Sequence, residues 1–219
     1  YGLYLDASDF TFVGRWVTPP FAPRRFDTWF FLVNCPEKQQ PHVSGDAELE
    51  SGDWISAREA CAKWERNEML TAPPVLHALK SLRDGLTDDL VERFLSVPEA
   101  HRELTRRIEF RPNYICFPVR TPTRPPATHT NCYLIYNSQR LLIIDPGSPY
   151  EDEQQALATI VDELLSAGRT LSGIVLTHLH PDHVGGVNVV RAHLGTAKVL
   201  AHEATAAALS DIQVDEMLE

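Results

Sequence analysis

Long hydrophobic runs are missing from this chain. No stretch approaches the roughly 18–20 apolar residues that a membrane-spanning helix needs, so no membrane partner is expected. Basic charge is scarce as well: 20 Lys and Arg face 30 Asp and Glu, for a formal charge of −10. Phosphate contacts need clustered cations, so this balance weighs against general nucleic-acid binding and tilts towards a small or compact substrate. Cysteine is limited to Cys35, Cys61, Cys116 and Cys132, widely spaced and without a CxxC pair. That spacing argues against a disulfide framework and reads as buried thiols in a reducing, cytoplasmic setting. No secretory leader follows Tyr1, and no internal repeat or low-complexity tract is present. What is abundant, 43% hydrophobic and 23% charged residues over 219 positions, suits a soluble globular chain of one large domain or two small ones.

The chain opens on Tyr1 rather than Met and stops at Glu219, inside a stretch read as helical (Ala204–Leu209, then Val214–Leu218). It is therefore expected to be part of a longer protein. In the first segment, Phe10–Trp16 and Thr28–Val33 are aromatic and β-branched, as strands require. The prolines of Thr18–Pro23 between them demand a loop. Ser56-Ala57-Arg58-Glu59 matches a capping box, so a helix is expected from Ala57 to about Arg66. A second helix restarts at Val75–Leu82 after Pro73-Pro74. A boundary falls near residue 100, with residues 97–111 as linker. Arg102, Arg106, Arg107 and Arg111 there form a basic cluster, read as a solvated face in preference to a contact for an anionic substrate.

The second segment runs from residue 112. Asn131–Tyr136 and Arg140–Ile144 flank Asn137-Ser138 and read as a β-hairpin. Leu157, Ile160, Val161, Leu164 and Leu165 give Glu151–Ala167 helical spacing, closed by Gly168. Ile174–Leu176 and Lys198–Ala201 are short apolar strands, with a helix at Val187–Leu194 between them. Hairpin, helix, strand, helix, strand is an α/β pattern.

The chemistry concentrates at Thr177-His178-Leu179-His180-Pro181-Asp182-His183. The apolar run ends at Leu176, so this cluster opens a loop at a strand end. His178 and His180 lie two positions apart and leave an extended backbone on the same side, which suits two imidazoles on one metal ion. Pro181 turns the chain, so Asp182 and His183 can address a second position. Imidazole with carboxylate is the ligand set of catalytic zinc. The HxHxDH pattern arises by chance on the order of once in a thousand such chains. Gly185 and Gly186 let the backbone pass close to such a site.

Thr177–Gly186 resembles the signature of the metallo-β-lactamase superfamily. Asn131-Cys132-Tyr133-Leu134-Ile135 resembles that family's first-strand motif, and Ile143-Ile144-Asp145-Pro146-Gly147 its Asp-x-Gly turn. The resemblance implies the N-terminal half of an αββα sandwich. It implies His178 and His180 on one zinc ion and Asp182 and His183 on another, with a bridging hydroxide as nucleophile. Asp182 would also act in catalysis, holding the hydroxide and passing its proton on. Asp145 is either a simple turn former or a support for the metal loop. Iron or manganese would suit the same donors. The family also needs a later His, a bridging Asp and a final His. Among the 36 residues after His183 the only histidines are His193 and His202, both read as structural. Those ligands are expected beyond Glu219.

The first segment carries a different likeness. Gly14–Pro20, Arg24–Leu32, Asp53–Ser56 and Leu70–Pro74 resemble the part of a Nudix hydrolase that follows its catalytic helix, in the branch acting on coenzyme-A-type diphosphates. The box that would hold magnesium is absent. Glu48 and Glu50 are read as loop residues in preference to metal contacts. The expected organisation is α/β with mixed sheets: a partial Nudix-like α/β/α sandwich over residues 1–96, then a metallo-β-lactamase-like half over 112–219. Such a fusion resembles bacterial proteins whose β-lactamase-like half is similar to endoribonucleases and glyoxalase-II-type thioesterases. The implied substrate is a thioester, such as a CoA derivative, or single-stranded RNA. The alternatives are a Nudix diphosphatase and a non-catalytic scaffold.

Overall fold

In the computed structural model, residues 6–22, 24–36, 38, 43, 49–97, 106–195 and 197–218 are described. Glu48 and Arg102 lie outside them. The chain divides into two compact units, Tyr1–Thr18 with Arg24–Glu103, and Pro19–Pro23 with Leu104–Glu219.

In the first unit, strands β1 (Thr11–Val17) and β2 (Asp27–Leu32) pair antiparallel, with a bulge between Phe12 and Gly14. Helices α1 (Ala57–Glu65), α2 (Pro73–Arg83) and α3 (Leu90–Leu95) follow. Ser56 caps α1 by accepting from the Glu59 amide at 3.1 Å, which satisfies one of the free N–H groups of the first turn. The strands turn Val13, Phe30 and Leu32 inwards against Ala78, Leu82, Leu90, Val91 and Phe94. Their other face, with Phe12, Trp29 and Phe31, is exposed.

The second unit is built on a seven-stranded sheet in sequential order: β3 (Ile108–Arg111), β4 (Tyr114–Arg120), β5 (His129–Tyr136), β6 (Arg140–Ile144), β7 (Thr170–Leu176), β8 (Val199–His202) and β9 (Glu216–Leu218). From β3 to β6 the neighbours are antiparallel; from β6 to β9 they are parallel. Parallel neighbours need crossovers, here supplied by α4 (Glu151–Ser166), α5 (Pro181–Val184) with α6 (Val187–Leu194), and α7 (Glu203–Ala208). The fold is therefore α/β with a mixed sheet. Ile115, Val119, Leu134, Leu141, Ile143, Ile174 and Val199 are fully buried, and α4 and α6 pack Leu157, Val161, Val187 and Val190 into the same core.

Four expectations need correction. Val214–Leu218 was expected to be helical, but Glu216–Leu218 pairs in parallel with β8; three residues are too few for a period to distinguish strand from helix. Cys61, Cys116 and Cys132 are buried as expected, but Cys35 is exposed. Arg106 is not solvated: it pairs with Glu153, which is 2% exposed, because a buried carboxylate needs a compensating charge. Ile108–Arg111, in the region read as linker, is a strand of the second unit's sheet. Among the described residues no helix is long and apolar enough to cross a membrane.

Candidate metal centre

The carboxyl ends of β6 and β7 meet side by side, with Ile144 opposite Val175. Open α/β sheets place their sites beyond such strand ends. Asp145 leaves β6 and Thr177 leaves β7. The Asp145 backbone has a φ of 50°, a left-handed conformation that Asp tolerates better than most residues. That twist turns its carboxylate onto the neighbouring loop. Oδ1 accepts from the Thr177 amide at 2.8 Å, and Oδ2 accepts from the Thr177 hydroxyl at 2.5 Å. Oδ2 also lies 2.9 Å from His183 Nδ1. The turn-forming and loop-supporting roles open for Asp145 thus coincide in one residue: three groups of the histidine loop converge on this carboxylate.

The loop is locked in place by close backbone contact. A Cβ on Gly147 would lie 1.9 Å from the Asp182 carbonyl oxygen, and one on Gly186 would lie 2.3 Å from the Pro146 carbonyl oxygen. Only glycine permits such approach. The Gly186 amide donates to the Pro146 carbonyl at 2.9 Å, closing the Asp-Pro-Gly turn against the start of α6.

The side chains above this frame are gathered. His178 Nδ1 lies 3.0 Å from the Thr177 hydroxyl, and His178 Nε2 lies 3.0 Å from His180 Nδ1. The His178 and His183 rings are 4.0 Å apart between centroids. Asp145, His178 and His183 bring ligand atoms within 4.8 Å of one another. Asp182 and His180 lie outside that group, Asp182 with Oδ2 at 3.8 Å from His183 Nε2 and His180 beside His178. The clustered group is thus Asp145, His178 and His183, with His180 beside His178 and Asp182 beside His183. His193 and His202 take no part in it. His193 pairs with Asp162 at 3.0 Å, and His202 accepts from the Ala204 amide at 3.1 Å to cap α7.

The electrostatics favour ligand-ready forms. His178 is pushed down from the usual imidazole range, first by burial and then by the neighbouring His183 and His180. The Asp182 carboxyl is held below its ordinary value. Burial alone would raise it, but hydrogen bonds from Thr123 and Thr130, its backbone amide and His183 outweigh that effect. Neutral imidazole and ionised carboxylate are the forms that bind metals.

The donors suit zinc. Three imidazoles with carboxylates match its catalytic ligand sets. The 3.0 Å gap between His178 and His180 nitrogens is close to the roughly 3.3 Å edge of a tetrahedron with arms of about 2.0–2.1 Å. Sequence reasoning missed Thr130. Its hydroxyl donates to Asp182 Oδ2 at 3.1 Å from the start of β5, 52 positions away, and no local pattern announces such a contact.

A family model matches the same region. Residues 125–216 match the model of the Metallo-beta-lactamase superfamily. The chain is 41% identical over 61 residues to "Beta-lactamase-like protein 2 homolog" of Drosophila melanogaster, covering 28% of this chain and 20% of that protein. It is 35% identical over 71 residues to a hydroxyacylglutathione hydrolase of Albidiferax ferrireducens, covering 32% of this chain and 25% of the relative. Identity to the atrochrysone carboxyl ACP thioesterase of Passalora fulva is 41% over 58 residues, covering 26% and 16% respectively. The chain thus spans a quarter or less of the length of these three relatives. The family match, falling on the unit whose strand ends gather these histidines, supports a metallo-β-lactamase superfamily domain over residues 125–216.

Proposed function

We propose that the second unit belongs to a metal-dependent hydrolase that cleaves a thioester. The observation that carries this reading is the gathering of His178 and His183 with Asp145 at the strand ends, with His180 and Asp182 beside them. His178 and His180 would hold one zinc ion, and Asp182 and His183 a second. When bound, such ions supply Lewis acidity and acidify a coordinated water. The protein's own part is to hold three imidazoles in place, that of His178 in a setting that favours its neutral form. Asp145 fixes the tautomer and direction of His183 through Nδ1, leaving Nε2 for the site. Asp182, ionised at neutral pH, can take a proton from the attacking water and return it to the departing thiolate, so that hydrolysis leaves an acid and a thiol.

A thioester is preferred to single-stranded RNA for two reasons. A net charge of −10 opposes binding of a polyanion. Two relatives are named as a hydroxyacylglutathione hydrolase and an ACP thioesterase. A CoA thioester is the form that would link this unit to the Nudix-like motifs of the first, whose magnesium-dependent diphosphatase activity is a separate reading.

The test is hydrolysis of acyl-CoA and acyl-glutathione thioesters by the full-length gene product, alongside its metal content. Zinc-dependent hydrolysis that His180→Ala lowers by at least 100-fold, with the thermal midpoint kept, supports the proposal. Hydrolysis that survives both chelation and the substitution overturns it.

A further inference from the structure

The two halves of the HxHxDH pattern are held by different parts of the sheet. His183 is bonded directly to Asp145 at the end of β6, and His178 to Thr177, whose hydroxyl donates to Asp145. Asp182 is tied instead to the β4–β5 hairpin. Thr130 donates its hydroxyl to Asp182 Oδ2 at 3.1 Å. The Thr121 hydroxyl lies 2.8 Å from that of Thr130. Both threonines are buried, at 5% and 8% exposure; Thr130 pairs with Val119 in the β4–β5 ladder, and Thr121 follows the last pair of that ladder, Arg120–His129. A carboxylate has no proton to give at neutral pH, so Thr130 must donate to Asp182. Its oxygen is then left as acceptor for Thr121. The chain of donors runs one way, Thr121 to Thr130 to Asp182.

We propose that Thr130, backed by Thr121, is a positioning residue that sets the direction of the Asp182 carboxylate and so governs one cation position independently of the one at His178 and His180. This inference rests on the metal-site reading above. The hydroxyl holds Oδ2, the oxygen that lies 3.8 Å from His183 Nε2, and so fixes the orientation in which the carboxylate meets the site. A supporting partner of this kind typically tunes metal affinity by about 10–100-fold.

The experiment compares Thr130→Val, which keeps shape and loses the hydroxyl, with Thr130→Ser, which keeps the hydroxyl. The full-length protein is titrated with cobalt(II), followed by its visible spectrum. The expected result is weaker binding of one cobalt equivalent by about 10–100-fold in Thr130→Val, an unchanged first equivalent, and recovery in Thr130→Ser. Equal weakening of both equivalents, or none in a wild type that binds cobalt, overturns the inference and leaves the metal site standing. A metal-free measurement separates the two ideas. Thermal midpoints of Thr130→Val, Asp182→Ala and the double variant should be non-additive, with Thr130→Val costing less once Asp182 is gone. Strict additivity overturns the Thr130–Asp182 link whatever the metal content. A wild type that binds no cobalt, with non-additive midpoints, contradicts the hydrolase reading and keeps the link.

Discussion

The two units invest their apolar residues differently. The second buries a continuous core from seven strands and the helices that cross between them. The first rests on a small cluster around Val13, Leu90 and Phe94 and leaves Phe12, Trp29 and Phe31 exposed on one face of a two-stranded ribbon. A two-stranded ribbon is marginal by itself, whereas a wide sheet can carry strain. The difference explains where the chemistry sits. Asp145 holds a left-handed backbone, and the 146–148 turn presses against the histidine loop at distances only glycine allows. Both features need a rigid surrounding that over-determines them, and the large core supplies it.

Core truncation should break this comparison most visibly. Leu134 is fully buried in β5, so Leu134→Ala should cost about 2–5 kcal/mol. Phe31 is 47% exposed and touches mainly the Phe10 and Phe12 rings, so Phe31→Ala should cost only about 0.5–1.5 kcal/mol. Denaturant unfolding of each variant gives both figures. A loss at Phe31 as large as that at Leu134 would mean the aromatic face is covered in the intact protein, and the contrast between the units would dissolve.

A smaller effect sharpens how the sheet's parallel edge is tied. Asp215 accepts from the Val199 amide at 2.9 Å and from Arg191 at 3.0 Å, joining β8, α6 and the approach to β9. Its carboxyl lies below the ordinary aspartate value, chiefly through the Val199 amide. A group depressed on folding adds stability above its unfolded pKa and loses it as pH falls through the folded value. Asp215→Asn should therefore lower the thermal midpoint at pH 7, and by progressively less as pH falls below the ordinary aspartate value and through the lower folded one. Midpoints recorded from pH 7 to pH 2.5 check this. A difference that persists undiminished at the acid end would show that the contact is not electrostatic.

Much of the second unit was legible in the sequence, because its signals are local. The β5–β6 hairpin, the α4 period and the strand-end HxHxDH cluster all sit within a few consecutive residues. Their placement at the sheet's carboxyl ends follows from the run of apolar residues stopping at Leu176. Contacts made by pairing across the chain were not legible. Thr121 and Thr130 meet only because β4 and β5 align, and the Arg106–Glu153 pair joins residues 47 positions apart. β9 was misread for a related reason: a short apolar segment takes its form from the strand it lies beside, not from its own period. In the first unit, strand and helix positions were readable from aromatic runs and the Ser56 cap. The diphosphatase likeness there rests on motifs alone and stands as a proposal.

The central claim is that the strand-end histidines and Asp182 hold metal. Anomalous diffraction at the zinc edge, from crystals of the zinc-loaded protein, tests it most directly. The account predicts a peak within about 2.0–2.1 Å of the facing nitrogens of His178 and His180, and a second beside Asp182 and His183. A map with no peak at these side chains, from protein shown to be folded and exposed to excess zinc, would contradict it.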